Sequence, residues 1–125
     1  MALPAEHLEA AQRNADRAAA SASDDAWLIV FRFYAVLHLV DGYLKTKGAR
    51  FVAESHTARW AAIRSAPELR QATVAYRALQ ALSEQVRYNP CFKPTPADFT
   101  AAGQYADKIW AVVEPKLLRH IIDNP

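Results

Sequence analysis

The run Trp27 to Leu44, WLIVFRFYAVLHLVDGYL, constrains the fold more than any other part of the chain, because Arg32, His38 and Asp41 interrupt a largely apolar stretch. A transmembrane helix needs about 20 mostly apolar residues, and each charge near its centre is costly. The economical reading is a central helix of a bundle, with its polar groups held against other helices. No membrane contact is expected.

The remaining punctuation agrees with an all-α domain. Only three glycines occur, and Pro, Gly and capping residues separate the segments, as in a helical bundle with short connections. At 125 residues the chain can form one domain that buries roughly two-thirds of its unfolded surface. A single five-helix up-and-down bundle over residues 1–125 is expected. An alanine-rich first helix should run from about Pro4, suited to a first turn, to about Ala20. Asp24 or Asp25 can cap the second helix, which should end near Gly48. Ser55 can cap a short third helix to about Arg64. Ser65, Ala66, Pro67 and Glu68 have the form of a capping box that opens a fourth helix to Arg87 or Tyr88, and Thr95 to Asp98 repeats it for the fifth. Pro115 removes a backbone donor inside the fifth helical pattern, so that helix is expected to kink or break near Glu114.

Periodicity at about 100° per residue assigns the inward faces. These are Ile29, Val30, Phe33, Leu37, Val40 and Leu44 on the second helix, and Leu69, Ala72, Ala75, Tyr76, Leu79, Leu82 and Val86 on the fourth. On the fifth they are Phe99, Ala102, Ala106, Ile109, Trp110, Val113 and Leu117. Trp27 and Phe31 fall outside the second helix's main face and mark a candidate contact surface.

Charge is unevenly spread. Residues 1–44 carry three Lys/Arg and six Asp/Glu, residues 45–93 nine and three, and residues 94–125 three and four, for net charges of −3, +6 and −1. A basic middle can attract phosphate groups, and solvated arginines on helix faces would give the same count. Cys91 is the only cysteine, which excludes an internal disulfide and fits a reducing, cytoplasmic context. The N-terminal stretch has no apolar signal region, and Glu6, Glu9 and Asp16 argue against a transit peptide.

Candidate site residues follow from position. Tyr34, His38 and Asp41 share one sector of the second helix, and His38 and Asp41 are spaced to touch. This arrangement suits an oriented acid/base or phosphate ligand, or else an interhelical hydrogen-bond network. His56 and Arg59 open the third helix, where free N–H groups, an imidazole and a guanidinium suit an anion. Arg87 ends the fourth helix just before Tyr88. It needs a partner: a helix C-terminus, a carboxylate such as Asp41, or a phosphate held bidentately. No glycine-rich phosphate loop, metal-ligand spacing or nucleophile–base motif is found, and no metal or other cofactor is expected.

Taken together, Arg32, Tyr34, Ala35, His38 and Asp41-Gly-Tyr-Leu44 on one helix, Ser55-His56 with Arg59 opening the next, and Arg87-Tyr88 ending a long one resemble the HEPN superfamily of small helical bundles. The resemblance covers about residues 26–115. It implies a bundle with a kinked or broken helix, frequently a homodimer. It also implies a role as a metal-independent ribonuclease, as a toxin paired with a nucleotidyltransferase-like partner, or as a nucleotide- or RNA-binding module. His38, His56, Arg59 and Arg87 would then surround one cleft, supported by Tyr34, Asp41 and Tyr88. Catalytic members carry an arginine followed after four to six residues by histidine. Here Arg87 is followed at that distance by Phe92, Lys93 and Pro94, while Arg32 and His38 fit the count but lie about 120° apart on a helix. Nuclease activity therefore does not follow from the resemblance. The alternative is a protein-interaction bundle whose polar residues form an internal network.

Overall fold

The computed structural model describes residues 3–48 and 55–125. Residues 49–54, part of the basic middle, lie outside that set. Among the described residues there are five α-helices and no strand: α1 Pro4–Ala20, α2 Trp27–Lys45, α3 His56–Arg64, α4 Arg70–Tyr88 and α5 Pro96–Asp123, with a 3₁₀ turn Pro67–Leu69 before α4.

Local chemistry sets most helix starts. Asp25 Oδ1 accepts from Trp27 N–H at 3.0 Å at the start of α2. Ser55 Oγ accepts from Ala58 N–H at 3.1 Å to cap α3. Thr95 and Asp98 exchange backbone-to-side-chain bonds of 2.8 and 3.2 Å at the start of α5, the reciprocal box expected there. The box expected at Ser65 does not form. Ser65 Oγ instead donates back to Ala61 O at 2.9 Å, and Ala66 is extended, as a residue before proline prefers. The chain therefore breaks at Ala66 and takes a 3₁₀ turn before α4 opens at Arg70.

Of the kink or break expected near Glu114, the break does not occur: α5 is one helix of 28 residues with Pro115 inside it. Pro115 and Ala111 are exposed, while Val113 and Leu117 are fully buried. Water can therefore satisfy the Ala111 carbonyl that loses its N–H partner, and core contacts on either side hold the axis together.

α2 is the centre of the bundle, packed against α1, α4 and α5. Its expected apolar face is buried, and so are Leu28, Ala35, Val36, Leu39 and Tyr43, so burial extends around nearly the whole circumference. This is the one helix among the described residues long and apolar enough to cross a bilayer, and the other helices occupy its apolar surface. Tyr76 and Leu79 of α4 and Ile109, Val113 and Leu117 of α5 close the core against it. Trp27 remains 53% exposed.

The small residues of α1 permit a close approach. Ala11 and Ala18 are buried, and at the far end of α2 a Cβ on Gly42 would lie 2.9 Å from His7 Cβ and 3.1 Å from Leu117 Cδ2. Both neighbours belong to packed helices and cannot simply rotate away. Gly42→Ala is expected to lower stability by about 1 kcal/mol, the overpacking cost outweighing alanine's better helix propensity. Urea denaturation checks this, and an unchanged or raised midpoint would contradict the close approach.

Candidate functional site

The strongest polar contact joins α3 to α2. Arg59 Nε donates to Asp41 Oδ1 at 2.7 Å and Nη2 donates to Oδ2 at 3.0 Å, a bidentate fork in which the two side chains keep only 9% and 13% of their surface. Burial opposes the guanidinium charge, but the hydrogen bond and charge of Asp41 outweigh it and raise the Arg59 pKa. Tyr76, buried beside this pair, has its hydroxyl pKa pushed well above the ordinary range by burial. Asp41 is therefore committed to Arg59, and the expected His38–Asp41 contact is replaced.

His38 faces α1 instead, with its Nδ1 3.3 Å from Nδ1 of His7. Only one of two facing nitrogens can donate, so a single proton serves the pair. Burial lowers both pKa values, and the neighbouring imidazole lowers that of His38 further. His7, absent from the sequence-based candidates, is thus the partner of His38. No intrahelical spacing could have revealed a contact between α1 and α2.

His56 continues the network on the opposite side of Arg59, its Nδ1 3.3 Å from Arg59 Nη1. A guanidinium can only donate, so Nδ1 is the acceptor and the ring proton sits on Nε2. Burial comes first, followed by the charges of Arg59 and Arg87, in holding the His56 pKa below its ordinary value. A neutral imidazole with one outward N–H donor results.

Arg87 is held differently from Arg59. Its Nη1 donates to the Tyr34 hydroxyl at 3.0 Å and to the Tyr88 hydroxyl at 3.3 Å, and its Nε donates to Ser83 O at 3.3 Å. The guanidinium carbon lies 4.9 Å from the Tyr88 ring centre, 5.4 Å from Tyr34 and 5.8 Å from Phe33, all within cation–π range. Among the described residues no carboxylate pairs with it, and its buried Nη2 has no hydrogen-bond partner. His56 packs on another part of Phe33, with ring centres 6.0 Å apart. Arg87 and His56 therefore flank one ring.

A groove of about 410 Å³ opens between α3 and α4, lined by His56, Thr57, Trp60, Arg77, Gln80 and Glu84 among others. The guanidinium of Arg77 stands 4.7 Å from the Trp60 ring centre, and that of Arg64 stands 5.7 Å away. Their i, i+3 and i+7 spacing places Arg77, Gln80 and Glu84 on one face of α4. That spacing was readable, but its meeting with Trp60 required the tertiary arrangement. Of the four expected cleft residues, the structure brings His56 and Arg59 into contact, sets Arg87 within electrostatic reach of His56, and leaves His38 within electrostatic reach of Arg59 but bonded to His7. Arg32 and His38 do not converge either, since Arg32 rests against α5 at Gly103. Among the described residues no group of three or more His, Cys, Asp or Glu side chains converges as a metal site.

No protein-family model, curated protein or solved structure matches this chain.

The paired histidines make stability depend on pH. Their folded pKa values lie below the unfolded value of 6.5, so the unfolded chain binds more protons as pH falls from 6.5 toward those lower values. The contribution is fully present above 6.5 and lost as pH falls through the folded pKa values. Thermal midpoints should therefore drop between about pH 7 and pH 5, and His38→Gln should flatten that dependence. An identical pH profile in the variant would contradict the assignment.

Proposed function

We propose that this chain is a HEPN-like nucleic-acid- or nucleotide-binding helical domain that binds without cleaving. The observation that carries this reading is Arg87, a half-buried cation with no carboxylate partner among the described residues, within electrostatic reach of the neutral His56 ring. A phosphate oxygen is the acceptor that such a fork takes most readily. The adjoining groove adds Trp60, with the Arg64 and Arg77 guanidiniums within cation–π range of its ring, and Tyr88 is 72% exposed. Aromatic platforms set among cations are the chemistry that holds single-stranded bases and their backbone. The separation of Arg32 from His38, and the absence of histidine four to six residues after Arg87, support binding over cleavage.

On the same resemblance, we propose that such a domain works in a toxin–antitoxin or defence pair, with a nucleotidyltransferase-like protein as partner and the domain acting as a homodimer. One observation favours a second reading, a protein-interaction bundle: Arg59 is already neutralised by Asp41 in a buried pair, and Trp27 is exposed, so part of the polar network is structural and an aromatic surface is free.

Fluorescence anisotropy with short single-stranded RNA separates the two. Affinity should fall as salt rises, with a slope of about −0.7 per phosphate neutralised. Arg87→Ala should weaken binding about tenfold or more, Trp60→Ala should cost about 1–3 kcal/mol, and Arg13→Ala on the exposed face of α1 should have no effect. Absence of binding at low salt by a folded wild type, with light scattering showing a dimer that Trp27→Ala dissociates, would replace this reading with the interaction bundle.

A further inference from the structure

A second charged residue of α2 lies in a different environment, in a pocket that shares no lining residue with the α3–α4 groove. Arg32 lines a pocket of about 340 Å³ between α1, α2 and α5, whose walls include Ala15, Ala35, Ala106, Trp110 and Asp107. Its guanidinium rests against the backbone of α5, where a Cβ on Gly103 would stand 3.8 Å from the guanidinium carbon. The buried Nε has no hydrogen-bond partner. Among the described residues no carboxylate comes within ion-pair distance of Arg32, although Asp107 stands exposed at the cavity edge. A guanidinium without a carboxylate partner keeps its demand for an acceptor, and Arg32 lines a space large enough for a small molecule.

The geometry points to a binding site for a small organic monocarboxylate with a compact apolar body. The carboxylate would accept from the planar Arg32 fork, whose two parallel donors match its geometry. The alanine methyls and the face of Trp110 would enclose the apolar part. A dianion such as phosphate fits less well, because Asp107 repels additional negative charge and the remaining walls offer mostly methyl groups. The run of alanines on α1 thereby has a second consequence. Side chains short enough to let α1 approach α2 also leave room over Arg32.

The test is a nuclear magnetic resonance titration of the ¹⁵N-labelled full chain with phenylacetate, following the Trp110 indole N–H, assigned through Trp110→Phe. A saturable shift at millimolar ligand is expected. Phenylacetamide, which lacks the charge, acetate, which lacks the ring, and inorganic phosphate should each bind about tenfold or more weakly. Arg32→Gln should abolish saturation, and Ala15→Leu, which fills the cavity and leaves the charge in place, should do the same. If Arg32→Gln does not fold, the wild-type comparison of phenylacetate with phenylacetamide still decides. Absence of saturation, equal binding of the neutral amide, or phosphate binding as tightly as phenylacetate would overturn the inference.

Discussion

Asp41 sits on the most enclosed helix of the molecule, and its carboxylate is tolerated there because Arg59 of α3 meets both oxygens, at 2.7 and 3.0 Å. Leaving either partner alone would place an uncompensated charge against the core. The pair therefore does more than join two side chains. It fixes the short α3, which packs only lightly on its neighbours, against the bundle. With α3 fixed, His56 and Trp60 are set facing α4, and the groove between α3 and α4 exists only while that placement holds.

The same pair divides the polar residues by role. Arg59 spends its charge inside the fold and Asp41 spends its carboxylate on Arg59, so His38 turns to His7 and Arg87 is left with tyrosine hydroxyls and a backbone carbonyl. On the proposed reading, an external anion would meet Arg87 and the arginines around Trp60. His56 couples the two regions: its Nδ1 accepts from Arg59, and burial, joined by the charges of Arg59 and Arg87, keeps its ring neutral.

Much of this was legible in the chain because it depends on local chemistry. Ser55 and the Thr95–Asp98 box set helix starts through contacts only a few residues long, and the stripes of α4 and α5 show their period because their other faces are polar. α2 disclosed only one face, since a helix buried nearly all round has little contrast for periodicity to read. Ser65 was misread because its hydroxyl can bond either forward into a new helix or back into the old one, and Pro67 tips the choice by extending Ala66. Pro115 does not break α5, because the cost of a missing N–H depends on whether water reaches the orphaned carbonyl, which is a property of the folded surface. The spacing of His38 and Asp41 allowed a contact, but each found a stronger partner on another helix. The loss of any carboxylate for Arg87 and Arg32 was equally invisible, because it follows from where other helices put their acids.

The claim on which the rest depends is that the Asp41–Arg59 pair holds α3 in place. Its most direct measurement is a double-mutant cycle by chemical denaturation, using Asp41→Leu, Arg59→Met and the combination. Each single variant should lose about 3–5 kcal/mol by stranding a buried charge, while the double variant, with both charges replaced by apolar groups of similar size, should recover most of that loss. Single losses that simply add in the double variant, or single variants as stable as the wild type, would contradict it.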